Sequence, residues 1–170
     1  MSGEPFAIAP AAPADVPDLM RMIRALAEYE RLSHLVVADE ERLARALFEE
    51  RGGPEALIAR EGGDSGHAAG FALFFHTFST FLGRRGLWLE DLFVYPEHRG
   101  RGLGRRLLAD LAGIARERGC GRFEWSVLDW NTPAIGFYER MGATLLPDWR
   151  IARVTGEALA TFGIDASDPD

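Results

Sequence analysis

Tyr95-Pro96-Glu97-His98-Arg99-Gly100-Arg101-Gly102-Leu103-Gly104 joins two segments of opposite character. Before it, Leu87-Trp88-Leu89-Glu90-Asp91-Leu92-Phe93-Val94 is short, largely apolar and closed by Pro96, the pattern of a strand. After it, Leu103, Leu107, Leu108, Leu111, Ile114 and Ala115 share one face of a predicted helix. A strand that turns through glycines into a helix can aim successive backbone N–H groups at one point. The helix N-terminus adds about half a positive charge there. Arg99, Arg101, Arg105 and Arg106 set four guanidinium groups within eight residues. Two readings stand at this level: a cradle for a phosphate or pyrophosphate, or a glycine-rich turn with a solvated basic face. The dinucleotide-binding fingerprint fits poorly, because its third glycine would fall at position 105, which is arginine.

Working outward, Phe6-Ala7-Ile8-Ala9 reads as a first strand. Asp15 caps a helix carrying Val16, Leu19, Met20, Ile23 and Leu26 inward and ending near Tyr29-Glu30. A shorter helix follows Asp39, and Arg51-Gly52-Gly53-Pro54 stops it. The stretches 56–60 and 69–78 form a hairpin of strands around a polar turn, and Arg84-Arg85-Gly86 turns the chain into the strand before the glycine loop. Beyond the central helix, 122–127 reads as a strand and Asn131-Thr132-Pro133 opens a helix that Gly142 ends. Two more strands are expected near 144–146 and 150–154. The pattern is one α/β domain over residues 1–162, without repeat or linker, and a disordered tail over 163–170.

The chain has 170 residues, 47% hydrophobic and 26% charged, which suits one folded domain and excludes a mainly disordered chain. Its 19 basic and 26 acidic residues leave −7, so nucleic acid is not an expected partner. Lysine is absent, which excludes a Schiff-base lysine and a P-loop built on Gly-Lys-Ser/Thr. No apolar run reaches the ~18 residues of a membrane span, and the N-terminus lacks a basic-then-apolar secretory pattern. Cys120 is the only cysteine and reads as a small core residue, so the expected setting is cytoplasmic, without membrane contact. His34, His67, His76 and His98 show no ligand spacing, and no metal is expected.

Glu90 and Asp91 are adjacent carboxylates in an apolar strand. Simple alternation puts Leu87, Leu89, Asp91 and Phe93 on one face and Trp88, Glu90, Leu92 and Val94 on the other. Burying either charge alone costs several kcal/mol, so each needs solvent, a cation or a hydrogen-bond network. Pairing with the many arginines is one outcome. The other is a functional carboxylate whose partial desolvation raises its pKa towards neutrality, as a general base requires.

The Arg99–Gly104 turn after a strand ending at Val94 resembles the acetyl-CoA pyrophosphate loop of the GNAT superfamily of N-acetyltransferases. Asn131 with Phe137-Tyr138-Glu139-Arg140-Met141-Gly142-Ala143 resembles its second signature. Within it, Leu89-Glu90-Asp91, Tyr95–Gly100, Asp129-Trp130-Asn131 and Ala27-Glu28-Tyr29-Glu30 are similar to the diamine (spermidine/spermine) acetyltransferases. Ser79-Thr80 and Leu128-Asp129-Trp130 are more similar to the relatives that acetylate thialysine and other lysine analogues. The resemblance spans Phe6 to Val154 and implies a mixed, mostly antiparallel sheet of about seven strands with about four helices. It implies acetyl-CoA as co-substrate and a primary amine of a small diamine, polyamine or lysine analogue as acceptor, with direct transfer in a ternary complex. It also implies a homodimer.

By the same resemblance the cofactor is held by Leu92, Phe93 and Val94, by Arg99, Gly100, Arg101, Gly102, Leu103, Gly104 and Arg105, and by Asn131, Thr132, Pro133 and Ala134. Glu90 takes the proton of the acceptor ammonium. Tyr138, whose phenol pKa of about 10 matches an alkyl thiol, returns one to the leaving sulfur. Tyr29, Glu30, Glu90, Asp91, Glu124, Trp125 and Ser126 line the acceptor site, an aromatic wall with anions that suits an alkyl ammonium. Asn131 is also a plain helix cap by its position. The alternatives at this level are acetylation of a protein N-terminus or an antibiotic amine, and a module that binds acetyl-CoA without turnover.

Overall fold

The two apolar runs either side of the Phe78–Gly86 stretch pair as a long hairpin, the centre of the sheet in a computed structural model that describes residues 5–162. The described residues divide into two compact units, one ending at Leu128 and one beginning at Asp129. In chain order the first contains β1 (Phe6–Pro10), α1 (Val16–Tyr29), α2 (Glu40–Phe48), β2 (Glu55–Glu61), β3 (His67–Ser79), β4 (Arg84–Val94), α3 (Leu103–Glu117) and β5 (Arg122–Trp125). The strands lie in that order across one sheet, antiparallel except for the parallel pair β4–β5. The expected mixed, mostly antiparallel sheet is therefore present.

One face of the sheet packs on α1, where Leu19 and Met22 meet Ala56, Ile58, Phe71, Leu73 and Phe93. Leu19, Met20 and Met22 are fully buried, each burial worth about 1.5–3 kcal/mol. Alternate residues such as Phe74, Leu87 and Leu89 face the other way, the side covered by the buried Leu103, Leu107, Leu108 and Leu111 of α3. Asp15 precedes α1 without capping it through its side chain. That carboxylate instead accepts from the Ala12 N–H at 2.8 Å and, with Asp18, pairs with Arg60 of β2, pinning the start of α1 to the sheet.

The pairing of β3 with β4 slips by one residue: Asp91 faces Leu73 while Leu89 faces Phe74, so Glu90 is the extra residue of a β-bulge. The bulge reverses the alternation read from the sequence. Asp91 and Phe93 share the α1 face with Leu73 and Phe71, whereas Leu87 and Leu89 point to the α3 face.

The second unit, described by itself, contains α4 (Thr132–Arg140) and α5 (Gly156–Thr161). Among the described residues the sheet has five strands where about seven were expected, and there are five α-helices where about four were expected. Residues 144–146 and 150–154 are not strands: no described strand supplies the hydrogen-bond ladder that extended backbone needs, and Pro147 interrupts the run. β5 is also shorter than expected and stops at Trp125. The tail over 163–170 lies outside the described residues.

Candidate active site

β4 is paired on both sides only along part of its length. Its parallel ladder with β5 covers Gly86 to Leu89 and stops there, whereas its ladder with β3 runs on to Val94. The ladder between the strands carrying Glu90 and Glu124 therefore ends at Leu89 and Trp125. The Tyr95 N–H donates to Ala69 of β3 at 3.0 Å. Because backbone groups alternate sides along a strand, the N–H and C=O groups of Leu92 and Val94 face away from β3, along this unladdered edge. An extended ligand bearing amides could add to it as a strand does.

The edge leads into the glycine loop. A short 3-10 turn over Pro96–His98 folds the chain back, so the Arg99 Nε–H donates to the Val94 carbonyl at 2.9 Å. Gly100 and Gly102 have φ of +73° and +83°, a region side chains avoid, and a Cβ built at either meets no protein atom within 4 Å. Glycine is thus required for backbone conformation, and the space beside it is open to a ligand. Gly102 precedes α3 in the left-handed region, no side chain caps the helix, and its first turn carries no acidic residue. The N–H groups at that end are placed for an anion.

The arginine cluster is less concentrated than its sequence suggests. The Arg101 side chain turns to Glu61, 2.6 Å away, and lies over the Phe6 ring. Arg106 donates to the Phe6 carbonyl at 3.0 Å. Arg99 spans the Val94 carbonyl and the rings of Tyr29 and Phe93, at 5.2 and 5.9 Å. Arg105 is exposed and without a described partner. Backbone amides and Arg105, rather than four free guanidinium groups, face any phosphate here.

Beside the bulge, three carboxylates gather. Burial pushes Asp91 up from 3.8 to about 6, and the charges of Glu90 and Glu30 push the same way. Burial also raises Glu30 at the end of α1. Glu90 is exposed, and its Oε2 accepts from the Trp88 indole N–H at 3.0 Å. The desolvation that the sequence reading sought at Glu90 thus falls on Asp91, because the bulge turns Asp91 to the α1 face. Tyr29, 40% exposed, stands next to Glu30. A cation entering here would relieve repulsion among the acids and meet an aromatic face.

On β5, Glu124 lies 2.7 Å from the Arg122 Nε, and the Trp125 ring is 5.0 Å from Phe123. Ser126 is exposed just beyond the strand. In the second unit, the Asn131 Oδ1 accepts from the Ala134 N–H at 3.4 Å, so Asn131 caps α4, with Thr132, Pro133 and Ala134 in its first turn. Tyr138 is half-buried on α4, its ring 5.4 Å from that of Phe137. The bulge and the fold-back of Arg99 were missed at the sequence level; Pro96 signalled the turn, but nothing local signalled the register slip.

The acetyltransferase (GNAT) family pattern matches residues 19–143. A thialysine N-epsilon-acetyltransferase of Mus musculus is 38% identical over 154 residues, covering 86% of this chain and 90% of that protein. An L-ornithine N5-acetyltransferase of Arabidopsis thaliana is 34% identical over 191 residues, covering 88% of this chain and 84% of that one. Among solved structures, an integron cassette protein from the mobile metagenome of V. cholerae superposes with a TM-score of 0.76 at 28% identity, covering 94% of this chain and 98% of its own.

Proposed function

The chain belongs to the acetyltransferase (GNAT) family, and from that premise we propose that it moves the acetyl group of acetyl-CoA to a primary amine of a small diamine, polyamine or lysine analogue, by direct transfer in a ternary complex. Acetyl transfer is the family's activity. The observation that carries our reading is the unladdered edge of β4 from Glu90 to Val94, which runs straight into the uncapped N-terminus of α3. The open space at Gly100 and Gly102 and the absence of acid in the first turn fit a diphosphate.

Bound acetyl-CoA supplies the activated thioester. Leu92, Phe93 and Val94 would orient its pantetheine arm through the outward groups of Leu92 and Val94, while the amides of residues 100–105 would hold the diphosphate. Arg99 would have to share or yield the Val94 carbonyl. We assign Asn131–Ala134 a further cofactor contact, on the family resemblance. Tyr29, Glu30 and Asp91 receive the acceptor ammonium, with Glu124, Trp125 and Ser126 along the same acceptor. Glu90 takes the proton directly or through water, and its exposure suits a group that must pass it on to solvent. Tyr138 protonates the leaving thiolate. The mouse and Arabidopsis relatives, named for thialysine and ornithine, support an acceptor with a side-chain amine.

Coenzyme A release measured across putrescine, spermidine, spermine, lysine, ornithine and thialysine tests this. Tyr138→Phe should slow turnover roughly 100-fold or more; an unchanged rate at every pH overturns its role. Glu90→Gln should slow turnover roughly 100-fold while leaving coenzyme A affinity unchanged, and an unchanged rate overturns Glu90 as proton acceptor. We further assign the protein to the cytoplasm, consistent with its single cysteine, and to a homodimer. Trp149, Ile151 and Phe162, exposed at 78%, 69% and 72%, supply apolar surface for a second copy to cover. Light scattering showing only monomer would exclude the dimer.

A further inference from the structure

β2 carries an acid at each end, and both acids lie on the α3 face of the sheet. Glu55 stands opposite Phe74 and Leu57 opposite Ala72, and alternation carries the same face through Ala59 to Glu61. The residues between them, Ala56, Ile58 and Arg60, meet α1 and its first turn instead. Glu55 and Glu61 lie about 20 Å apart along the extended strand, close to the ~22 Å length of the 15-residue α3. Each acid holds an arginine that flanks this helix. The Glu55 Oε2 accepts from the Arg118 Nη2 at 2.8 Å, where Arg118 caps the C-terminus of α3. The Glu61 Oε1 lies 2.6 Å from the Arg101 Nη2, just ahead of the N-terminus.

The N-terminal end is tied more than once. The Arg101 guanidinium lies 4.7 Å over the Phe6 ring, and its Nη1 is 3.4 Å from the His98 Nδ1. That same His98 nitrogen is 3.5 Å from the Glu61 Oε2, and its ring meets Phe6 edge-on at 5.8 Å. Phe6 is 2% exposed and pairs with Glu61 across β1 and β2, and its carbonyl accepts from Arg106 at 3.0 Å. Residues 98, 101 and 106, placed before, within and after the glycine turns, are thus fastened to one spot on the sheet. Gly100 and Gly102 between them add no stiffness of their own, because glycine populates other backbone regions as readily.

We propose that Glu61 is a positioning residue for the cofactor: it pins Arg101 and His98 to the sheet and so holds the glycine loop and the start of α3 in the form whose amides meet the diphosphate. The inference rests on the reading of that loop as the coenzyme A cradle. It goes beyond that reading in assigning a role to β2, which touches no ligand, and in making the Arg101 side chain serve the loop. A ligand that meets an ordered loop does not have to offset the entropy of ordering it. An exposed ion pair contributes little to overall stability. Its loss here should therefore show in cofactor affinity well before it shows in unfolding.

Calorimetric titration of the full chain with coenzyme A makes the test. Glu61→Gln should raise the dissociation constant roughly threefold or more with the melting temperature nearly unchanged. In turnover the KM for acetyl-CoA should rise alike while kcat holds. Glu55→Gln breaks the matching pair at the other end of α3 and should keep coenzyme A affinity within about twofold. Arg101→Gln should weaken binding about as much as Glu61→Gln, and the double variant no further, because each removes the same pin. An unchanged dissociation constant in Glu61→Gln overturns the proposal, as does a tighter one, which would mean that a released Arg101 helps the ligand directly. An equal rise in Glu55→Gln also overturns it, by pointing to general loosening of α3, and so do additive losses in the double variant. Should the wild-type protein bind no coenzyme A, the reading of the loop as its cradle fails separately. Backbone 15N relaxation then decides the pin: lower order parameters at residues 100–105 in Glu61→Gln uphold it, and unchanged ones overturn it.

Discussion

The two halves of β4 obey different rules. From Gly86 to Leu89 the strand is laddered on both edges, and Leu87 and Leu89 are 0% and 2% exposed. From Glu90 to Val94 it is laddered on one edge, carries two carboxylates and begins with a bulge. The first half spends every backbone group on the sheet and has none left for a ligand. The second keeps one row of amides and carbonyls on an open edge and tolerates acids whose ionisation the fold resists. One strand thereby anchors the core at one end and presents a binding edge at the other, and the bulge marks the division.

Removing core volume from the closed half is expected to have the largest effect. Leu89→Ala should cost about 2–5 kcal/mol, read from denaturant or thermal unfolding, because the site lies between two ladders and has little room to collapse. A loss below about 1 kcal/mol would break the contrast. The open half should respond with the opposite sign. Asp91 titrates at about 6 in the fold against 3.8 as its ordinary value. The unfolded chain therefore ionises it first, and stability is lost as pH rises from about 4 to about 6, the loss being complete above that. This amounts to roughly 3 kcal/mol. Asp91→Asn should thus stabilise the ligand-free protein by up to that amount at pH 8 and by little at pH 4, while weakening turnover. Equal stabilisation at both pH values would mean that the gain comes from packing, not charge.

This contrast also marks where the sequence stops being readable. The helices α1, α2 and α3 follow from apolar spacing and stop signals, and the β3–β4 hairpin from its aromatic run, since these are local properties. The bulge depends on which residue of β3 faces which of β4, and nothing near Glu90 encodes that. The carboxylate pair was visible; which member is buried was not. The arginine run misled for the same reason: Arg101 is committed to Glu61 and Phe6, far away in the chain. At 144–154 alternating apolar residues looked like strands, but a strand needs a neighbour, and the pattern does not say whether one exists. Asn131 was legible as a cap because capping requires only the next turn.

The smallest expected change in stability lies just past the open half, at Gly102. Its φ of +83° makes alanine strained, at about 1–2 kcal/mol for a side chain in the left-handed region. Part of this is offset by about 0.4–1 kcal/mol, because alanine leaves the unfolded chain less freedom. A net loss of about 1 kcal/mol is expected, since the new methyl meets no protein atom within 4 Å. That empty space separates two roles for the loop. If it only turns the chain, Gly102→Ala should lower the melting temperature slightly and leave coenzyme A binding as it was. If it cradles the diphosphate, the methyl group enters the space of the ligand, and the dissociation constant for coenzyme A should rise far more than the stability loss accounts for. Calorimetry on the folded variant well below its melting temperature distinguishes the two, and undiminished affinity would remove the loop from the binding site.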